Sequence, residues 1–277
     1  MAYYSKTDDM MLMILQDDDA QNPRKDWDNN GTMICFHKRY NLGDEHEFNE
    51  PYKFFEEYLY ENESLDNIIN FARDSLFVDV TYNRRSKGYE IYNRDSLSTG
   101  FYKHEFIEGA LKDIKDDLAL SILEALPTKE LKRLFEKNNL ILPIYLYDHS
   151  GITINTTGFG CKWDSGQLGY IYESHKSISE RYEQGTLAQK IDKARESLIR
   201  EVSVYDWYLT GETYGYKYFE NGAEKDSCWG FYGYVEDLKE PISEFLPEKA
   251  QCLMKDLTYV EDNQTQNLQD EFEMEER

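Results

Sequence analysis

The chain has 277 residues, with 54 acidic and 31 basic side chains and a formal net charge of -23 at pH 7. This imbalance argues against direct binding to DNA or to an anionic membrane, because both depend on clusters of basic side chains. It favours solubility, a basic protein partner, or a surface that imitates the charge of nucleic acid. At this length one large domain and two small ones are both possible.

The four cysteines are far apart and form no CxxC pair, which argues against a structural zinc site or a disulfide scaffold. The first residues lack the basic region and the cleavage site of a signal peptide. No run approaches the roughly 20 apolar residues that a membrane helix needs. The sequence therefore predicts a cytoplasmic protein with reduced thiols and no cofactor.

Short apolar runs organise the first half of the chain. Strands are predicted over residues 10–15, 32–37 and 76–82. Helices are predicted over residues 52–60 and 65–72, and the hydroxyl of Ser64 is placed to cap the second one.

The second half shows longer helical patterns. An apolar residue at every fourth position predicts a helix over 105–126, and Thr128 is expected to cap the next short helix. A central strand follows over residues 140–147, and a long helix is predicted over 186–209. Two aromatic runs around Asn221 and Gly222 predict a β-hairpin.

Together these elements predict an α+β fold, with mixed or antiparallel sheets, packed amphipathic helices and a C-terminal aromatic β-hairpin. We expect a single globular domain over residues 1–256, with a more variable helical insert at about 49–138. Residues 257–277 are polar and acidic, and this composition predicts a flexible tail.

Two neighbouring segments, YDHSG and CKWDSG, carry candidate catalytic side chains. His149 could act as the base that activates the thiol of Cys161, with Asp148 or Asp164 orienting the imidazole. In the alternative, the segment is a turn in which Asp148 bonds nearby backbone amides and Gly151 takes an unusual dihedral angle. The spacing does not choose between an enzyme site and a turn.

Carboxylates are dense in the first long loop, where Asp17, Asp18, Asp19 and Asp28 occur together. Oxygen ligands at this density could hold Mg²⁺ or Ca²⁺, and Asp17, Asp19 and Asp28 are the candidates. Because the spacing differs from that of an EF-hand loop, a solvated acidic loop is favoured and no metal is predicted.

The segments WDNNGTMICF and WDSGQLGYIY share one order of residues: Trp, Asp, a polar residue, a glycine-bearing turn and an apolar strand. Each could be a turn in which the Asp accepts backbone amides while the Trp shields it. The residues assigned to this structural motif are Trp27, Asp28, Trp163, Asp164 and Gly166.

Trp229 belongs to a further aromatic segment, DSCWGFYG, on the returning strand of the predicted hairpin. Strand alternation predicts Cys228 and Gly230 on one face, and Trp229 and Phe231 on the other. The favoured interpretation is an aromatic core, and the alternative is a platform on which a ligand stacks.

Four blocks resemble a poorly characterised family of proteins encoded by bacteriophages, plasmids and conjugative elements. The blocks are NPRKDWDNNGTMICFHKRYNLGD, YLYDHSGITINTTGFGCKWDSGQLGYIY, VYDWYLTGETYGY and DSCWGFYGY. They lie between about residues 17 and 234, whereas residues 49–138 and the acidic tail carry no such block. The resemblance provides no catalytic residues.

The resemblance implies a genomic context in which many small acidic proteins block host defences. We therefore expect a mobile-element accessory protein that acts by protein binding in the host cytoplasm, as an anti-restriction or anti-CRISPR inhibitor. Its partner would be a host defence protein or nuclease with a basic groove, bound through an acidic surface that mimics nucleic acid. The alternatives are a hydrolase-like enzyme with His149, Cys161 and Asp164 at its site, and a virion or scaffold component.

Overall fold

A computed structural model describes residues 2–94, 98–103 and 110–275 of the chain. In chain order, the strands are β1 (Ala2–Lys6), β2 (Met10–Gln16), β3 (Thr32–Cys35), β4 (Val78–Asn83), β5 (Gly88–Asn93), β6 (Ser98–Lys103), β7 (Asn139–Asp148), β8 (Ile152–Asn155), β9 (Ser165–Ser174), β10 (Thr213–Glu220), β11 (Ala223–Tyr232) and β12 (Thr258–Val260). The helices are α1 (Pro23–Asp26), α2 (Pro51–Asn62), α3 (Leu65–Asp74), α4 (Ala110–Glu124), α5 (Thr128–Phe135), α6 (His175–Arg181), α7 (Leu187–Thr210), α8 (Val235–Phe245) and α9 (Asp262–Glu275), and a 3-10 helix covers Glu248–Lys255.

The predicted α+β class is confirmed: helices accompany three sheets, and the strands pair antiparallel. The chain divides into two compact units. Unit 1 consists of Met1–Gly31, Pro143–Leu168 and Glu196–Arg277, and unit 2 consists of Thr32–Leu142 and Gly169–Arg195. The predicted insert at about 49–138 lies entirely within unit 2. Among the described residues, no helix is long and apolar enough to cross a membrane.

A five-stranded sheet in the order β11-β10-β2-β1-β12 forms the centre of unit 1. On one face, three buried tyrosines of β10 pack with Leu12 and Ile14 of β2 and with apolar side chains of α8 and the 3-10 helix. On the other face, Met11, Met13 and Phe219 pack with Phe272 of α9.

Within the segment predicted as a flexible tail, residues 258–260 form strand β12 and residues 262–275 form helix α9. Strand β12 pairs antiparallel with β1, and the side chain of Phe272 in α9 is buried. The acidic composition dominated the prediction, whereas a few apolar residues supply the contacts that order the segment.

Strands β10 and β11 form an antiparallel pair around Asn221 and Gly222, both of which have positive φ angles. These are the angles that a tight two-residue turn between paired strands requires. The pair is not an isolated C-terminal ribbon, because β10 also pairs with β2 and further elements follow β11.

Unit 2 has its own core, in which α2, α3, α4 and α5 contribute aromatic and aliphatic side chains such as Phe54, Phe55 and Phe135. Its three-stranded sheet has the order β4-β5-β6. The predicted cap is confirmed, since Ser64 Oγ accepts a hydrogen bond from Asn67 N at 3.2 Å. The cap predicted at Thr128 is wrong: Pro127 precedes α5 as its N-cap, and Thr128 is the first helical residue.

The predicted helix over residues 105–126 corresponds to α4, whose described part begins at Ala110, and residues 105–109 lie outside the described residues. The remaining sheet has four strands, in the order β3-β9-β7-β8. The chain passes from one unit to the other within β7 and within β9.

Candidate functional site

The three predicted catalytic residues lie close together, but the carboxylate stands at their centre. Asp164 Oδ2 lies 3.5 Å from Nδ1 of His149 and 3.6 Å from Sγ of Cys161. A thiol nucleophile needs the imidazole as its own partner, because the base must take the thiol proton. Here the thiol donates to the carboxylate. This order of groups fits a surface turn better than a nucleophile with its base.

Backbone hydrogen bonds hold the same turn together. The amide of Asp148 donates to the carbonyl of Asp164 at 2.8 Å, and the amide of His149 donates to the carbonyl of Gly151 at 3.0 Å. The unusual dihedral angle assigned to Gly151 in the turn alternative lies at Ser150 instead, whose φ angle is 60°. A short polar side chain tolerates this left-handed conformation better than a branched one.

The predicted motif around Trp163 also has a different construction. Trp163 is 96 % exposed, so it does not shield Asp164. Gly166 is exposed near the start of β9. The hydroxyl of Ser165 donates to the backbone carbonyl of Cys161 and closes the turn. The turn therefore depends on Ser165 and the backbone, and Trp163 remains in solvent.

The related loop at the N-terminal side is anchored by Arg24, which the sequence did not single out. The Arg24 guanidinium pairs with Glu201 at 3.1 Å and donates to the carbonyl of Gly31 at 2.7 Å. Glu201 also accepts the amides of Asn30 and Gly31, at 3.1 and 3.2 Å. Asp28 is exposed. This buried ion pair fixes the loop to α7, and Glu201 accepts loop amides as was predicted for Asp28.

A cavity of about 740 Å³ opens beside this loop in unit 1. It brings together residues that the sequence assigned to separate roles: two metal candidates, Asp17 and Asp19, and two aromatic candidates, Trp27 and Trp229. The residues that line it are Gln16, Asp17, Asp18, Asp19, Gln21, Trp27, Trp229, Gly230 and Tyr232. Asp28 lies outside this lining.

A β-bulge in β11 directs Trp229 toward the cavity. Because Phe231 pairs with Tyr214 and Cys228 pairs with Tyr216, both Trp229 and Gly230 lie opposite Gly215. Gly230 has a φ angle of 88°, which glycine adopts without strain. A Cβ at position 215 would clash with the Trp229 indole, so the absent side chain makes room for the ring.

The bulge overturns the predicted alternation of faces. Cys228 and Phe231 were expected on opposite faces of β11, but both pack against the core that contains Tyr216. The ring of Phe231 lies 6.1 Å from that of Tyr216 and 5.5 Å from that of Phe245 in α8. An extra residue in one strand reverses the side-chain pattern beyond it.

Gln21 links the other two aromatic residues of the cavity. Trp27 Nε1 donates to Gln21 Oε1 at 3.2 Å, and the Tyr232 hydroxyl donates to the Gln21 carbonyl at 2.6 Å. The rings of Trp27 and Tyr232 meet edge to face, with centroids 4.8 Å apart. Both polar tips are therefore engaged, which leaves aromatic surface to face the cavity.

The aspartates bring negative charge to this aromatic wall. The amide of Asp17 donates to the carbonyl of Thr213 at 2.8 Å, and Thr213 Oγ1 donates back to the Asp17 carbonyl at 3.1 Å. The pKa of Tyr232 is raised to about 12, mainly by burial. The negative charges of Asp17, Tyr208 and Asp26 contribute to the same rise. Within the part of the chain that the structure describes, no cluster of three or more His, Cys, Asp or Glu side chains could hold a metal ion.

The two units differ sharply in charge. Unit 1 contains 29 acidic and 11 basic side chains, a net charge of -18, and unit 2 contains 25 and 20, a net charge of -5. The sequence matches no protein-family model and no curated protein, and the fold matches no solved structure.

Proposed function

We propose that the chain is an accessory protein of a phage or another mobile element that binds a basic host protein in the host cytoplasm. Its target would be a restriction enzyme or a CRISPR nuclease, whose nucleic-acid groove the acidic surface would occupy. The supporting observation is that unit 1 alone carries a net charge of -18. Carboxylates at this density attract a Lys- and Arg-lined groove over several ångströms and accelerate association with it.

Helix α8 supplies a regular row of such carboxylates. Its apolar side is buried, while Asp237, Glu240 and Glu244 are exposed. Spacings of three and four residues place these side chains on one face, about 5–6 Å apart between neighbouring Cβ atoms. The row presents repeated negative charge on a rigid support, as a phosphate backbone does.

The test is cleavage of plasmid DNA by a purified type I restriction enzyme and by an RNA-guided nuclease, with the full chain added. Inhibition should be strong at about 50 mM salt and largely lost at about 200 mM, because the contacts would be ionic. The triple variant D237N/E240Q/E244Q should inhibit about tenfold less well, since each exposed ion pair contributes about 0.2–1 kcal/mol.

A matched control removes the same number of charges from unit 2. The variant E57Q/E61Q/E180Q changes three exposed helical carboxylates there, and inhibition should stay the same. If neither nuclease is inhibited, or if both triple variants inhibit equally, the proposal is wrong.

The second candidate is a hydrolase-like enzyme, and the observation in its favour is that the three predicted residues lie in one turn, with Asp164 between His149 and Cys161. An activated thiol at Cys161 would react with iodoacetamide faster than the other three cysteines. If the binding proposal is right, the variant C161S keeps full nuclease inhibition. Selective alkylation of Cys161, together with loss of nuclease inhibition in C161S, would favour the enzyme.

A further inference from the structure

We infer that the cavity of unit 1 binds the guanidinium group of an arginine side chain from the protein partner. This inference rests on the proposed function and names the contact through which the basic partner is recognised. The cavity walls are two tryptophans and a tyrosine, and three consecutive aspartates stand beside them.

The aromatic walls favour a cation that can stack. Trp27 and Trp229 are 39 % and 45 % exposed, although large apolar rings are normally covered in a folded protein. A guanidinium is planar and weakly hydrated, so it stacks on an indole face more readily than an ammonium group does. Lysine would keep more of its water shell and gain less from these rings.

The aspartates supply the second half of the recognition. Asp18 and Asp19 are exposed, and Asp17 is held in place by its backbone bonds to Thr213. A carboxylate can accept two parallel N–H bonds from the guanidinium fork, and this geometry suits arginine specifically. Charge complementarity therefore selects a cation, and the fork selects arginine among cations.

The volume of the cavity fits a side chain carried on a peptide. At about 740 Å³ it falls within the usual range of about 300–1,000 Å³ for ligand sites, and it exceeds the space one guanidinium fills. The walls are already fixed by the Gly215 bulge and by Gln21. Little ordering would be needed on binding, which favours affinity.

The test uses blocked tripeptides and the full chain. Acetyl-Gly-Arg-Gly-amide is compared with the Gly-Lys-Gly and Gly-citrulline-Gly equivalents, because citrulline has the shape of arginine without its charge. Binding is followed through the NMR signals of the indole N–H groups. The arginine peptide should shift the Trp27 and Trp229 signals but not that of exposed Trp163. It should bind at least about threefold more tightly than the lysine peptide, and the citrulline peptide should not bind.

Two variants remove the two kinds of contact separately. Trp229→Ala should weaken arginine binding about tenfold by removing the stacking surface. D18N/D19N should weaken it to a similar extent, and both positions are exposed, where substitutions have little effect on stability. Trp163→Ala is the matched control and should leave binding unchanged. Equal binding of the three peptides, or equal binding by D18N/D19N and the original chain, would overturn the inference.

The outcome is separable from that of the nuclease assay. If the arginine peptide binds in the cavity and no nuclease is inhibited, the cavity inference stands and the proposed function fails. If nucleases are inhibited and the peptide does not shift Trp27 or Trp229, the proposed function stands and the cavity inference fails.

Discussion

Units 1 and 2 are nearly equal in length but differ in the size of their negative charge. Unit 2 has a small net charge, and several of its charged side chains pair with each other, as Arg181 does with Glu173 and Arg133 with Glu130. Unit 1 keeps a large excess of carboxylates and leaves two tryptophans partly exposed beside them. Excess like charge destabilises a compact state, and under the proposed function contact with a basic partner would offset this cost.

The largest expected effect comes from breaking the buried ion pair of unit 1. The Arg24 and Glu201 side chains are only 1 % and 13 % exposed. Glu201→Ala would remove the carboxylate that pairs with the guanidinium and accepts two backbone amides, and should cost about 3–5 kcal/mol of unfolding free energy. All four tryptophans lie in unit 1, so their fluorescence during urea unfolding reports on this unit.

Glu173→Ala in unit 2 is the matched comparison. The Glu173 side chain is 2 % exposed and pairs with Arg181 at 2.5 Å. The Glu173→Ala variant should destabilise unit 2, which circular dichroism would detect. The unfolding transition followed by tryptophan fluorescence in unit 1 should not move. If both variants move both signals together, the two units unfold as one cooperative block, and the distinction between them does not extend to stability.

A smaller effect is expected where Trp229 crosses Gly215. Gly215→Ala would force the indole from its position, with a loss of about 1–3 kcal/mol from overpacking and a loss of arginine-peptide binding. Gly166→Ala adds the same methyl group in unit 1 where no atom lies within 4 Å, so it should be neutral. Unfolding midpoints and peptide titrations measure both. Unchanged peptide binding by Gly215→Ala would contradict the role of the bulge.

The sequence was informative wherever the structure follows a regular local pattern. The apolar stripe of α7, the apolar run of β2 and the serine cap of α3 all appear as predicted. Local periodicity and capping chemistry depend on neighbouring residues, and these can be read directly from the chain.

The division into units was not accessible in the same way. Unit 1 is assembled from three separate segments, and the partners of Arg24 and Phe272 lie far away in sequence. Strand patterns show which face is apolar, but they do not show which elements share a core. The acidic residues around Phe272 therefore concealed an ordered element.

The cavity was only partly predictable for a related reason. Asp17, Asp19, Trp27 and Trp229 were each singled out, but strict alternation could not place them at one site. The available signal was a pair of glycines, one in TYGY and one in CWGF. Gly230 allows the bulge in β11, and Gly215 leaves room for the Trp229 indole that crosses it. Gln21 and Tyr232 carried no signal of their own.

The smallest expected effect concerns Asp206, a half-buried carboxylate of unit 1. Its Oδ1 accepts hydrogen bonds from Thr153 Oγ1 at 2.8 Å and from Ile154 N at 2.7 Å. Burial raises the pKa of Asp206, and these two bonds only partly oppose the rise. The folded state therefore holds the proton more tightly than the unfolded state does.

The raised pKa of Asp206 determines how the stability of the protein changes with pH. The stability that Asp206 contributes is complete below the ordinary carboxyl pKa of about 3.9, and it declines as the pH rises toward the raised value. Asp206→Asn keeps the Oδ1 acceptor and stays neutral, so its stability relative to the original chain should improve from about pH 4 upward. Urea midpoints across this range measure the difference.

Asp206→Ala loses the acceptor and should be less stable than Asn by about 1–3 kcal/mol at every pH. If the stability of Asp206→Asn relative to the original chain stays constant or falls as the pH rises, the hydrogen bonds to Asp206 outweigh the effect of burial. This carboxylate would then be as well stabilised as the paired carboxylates of unit 2.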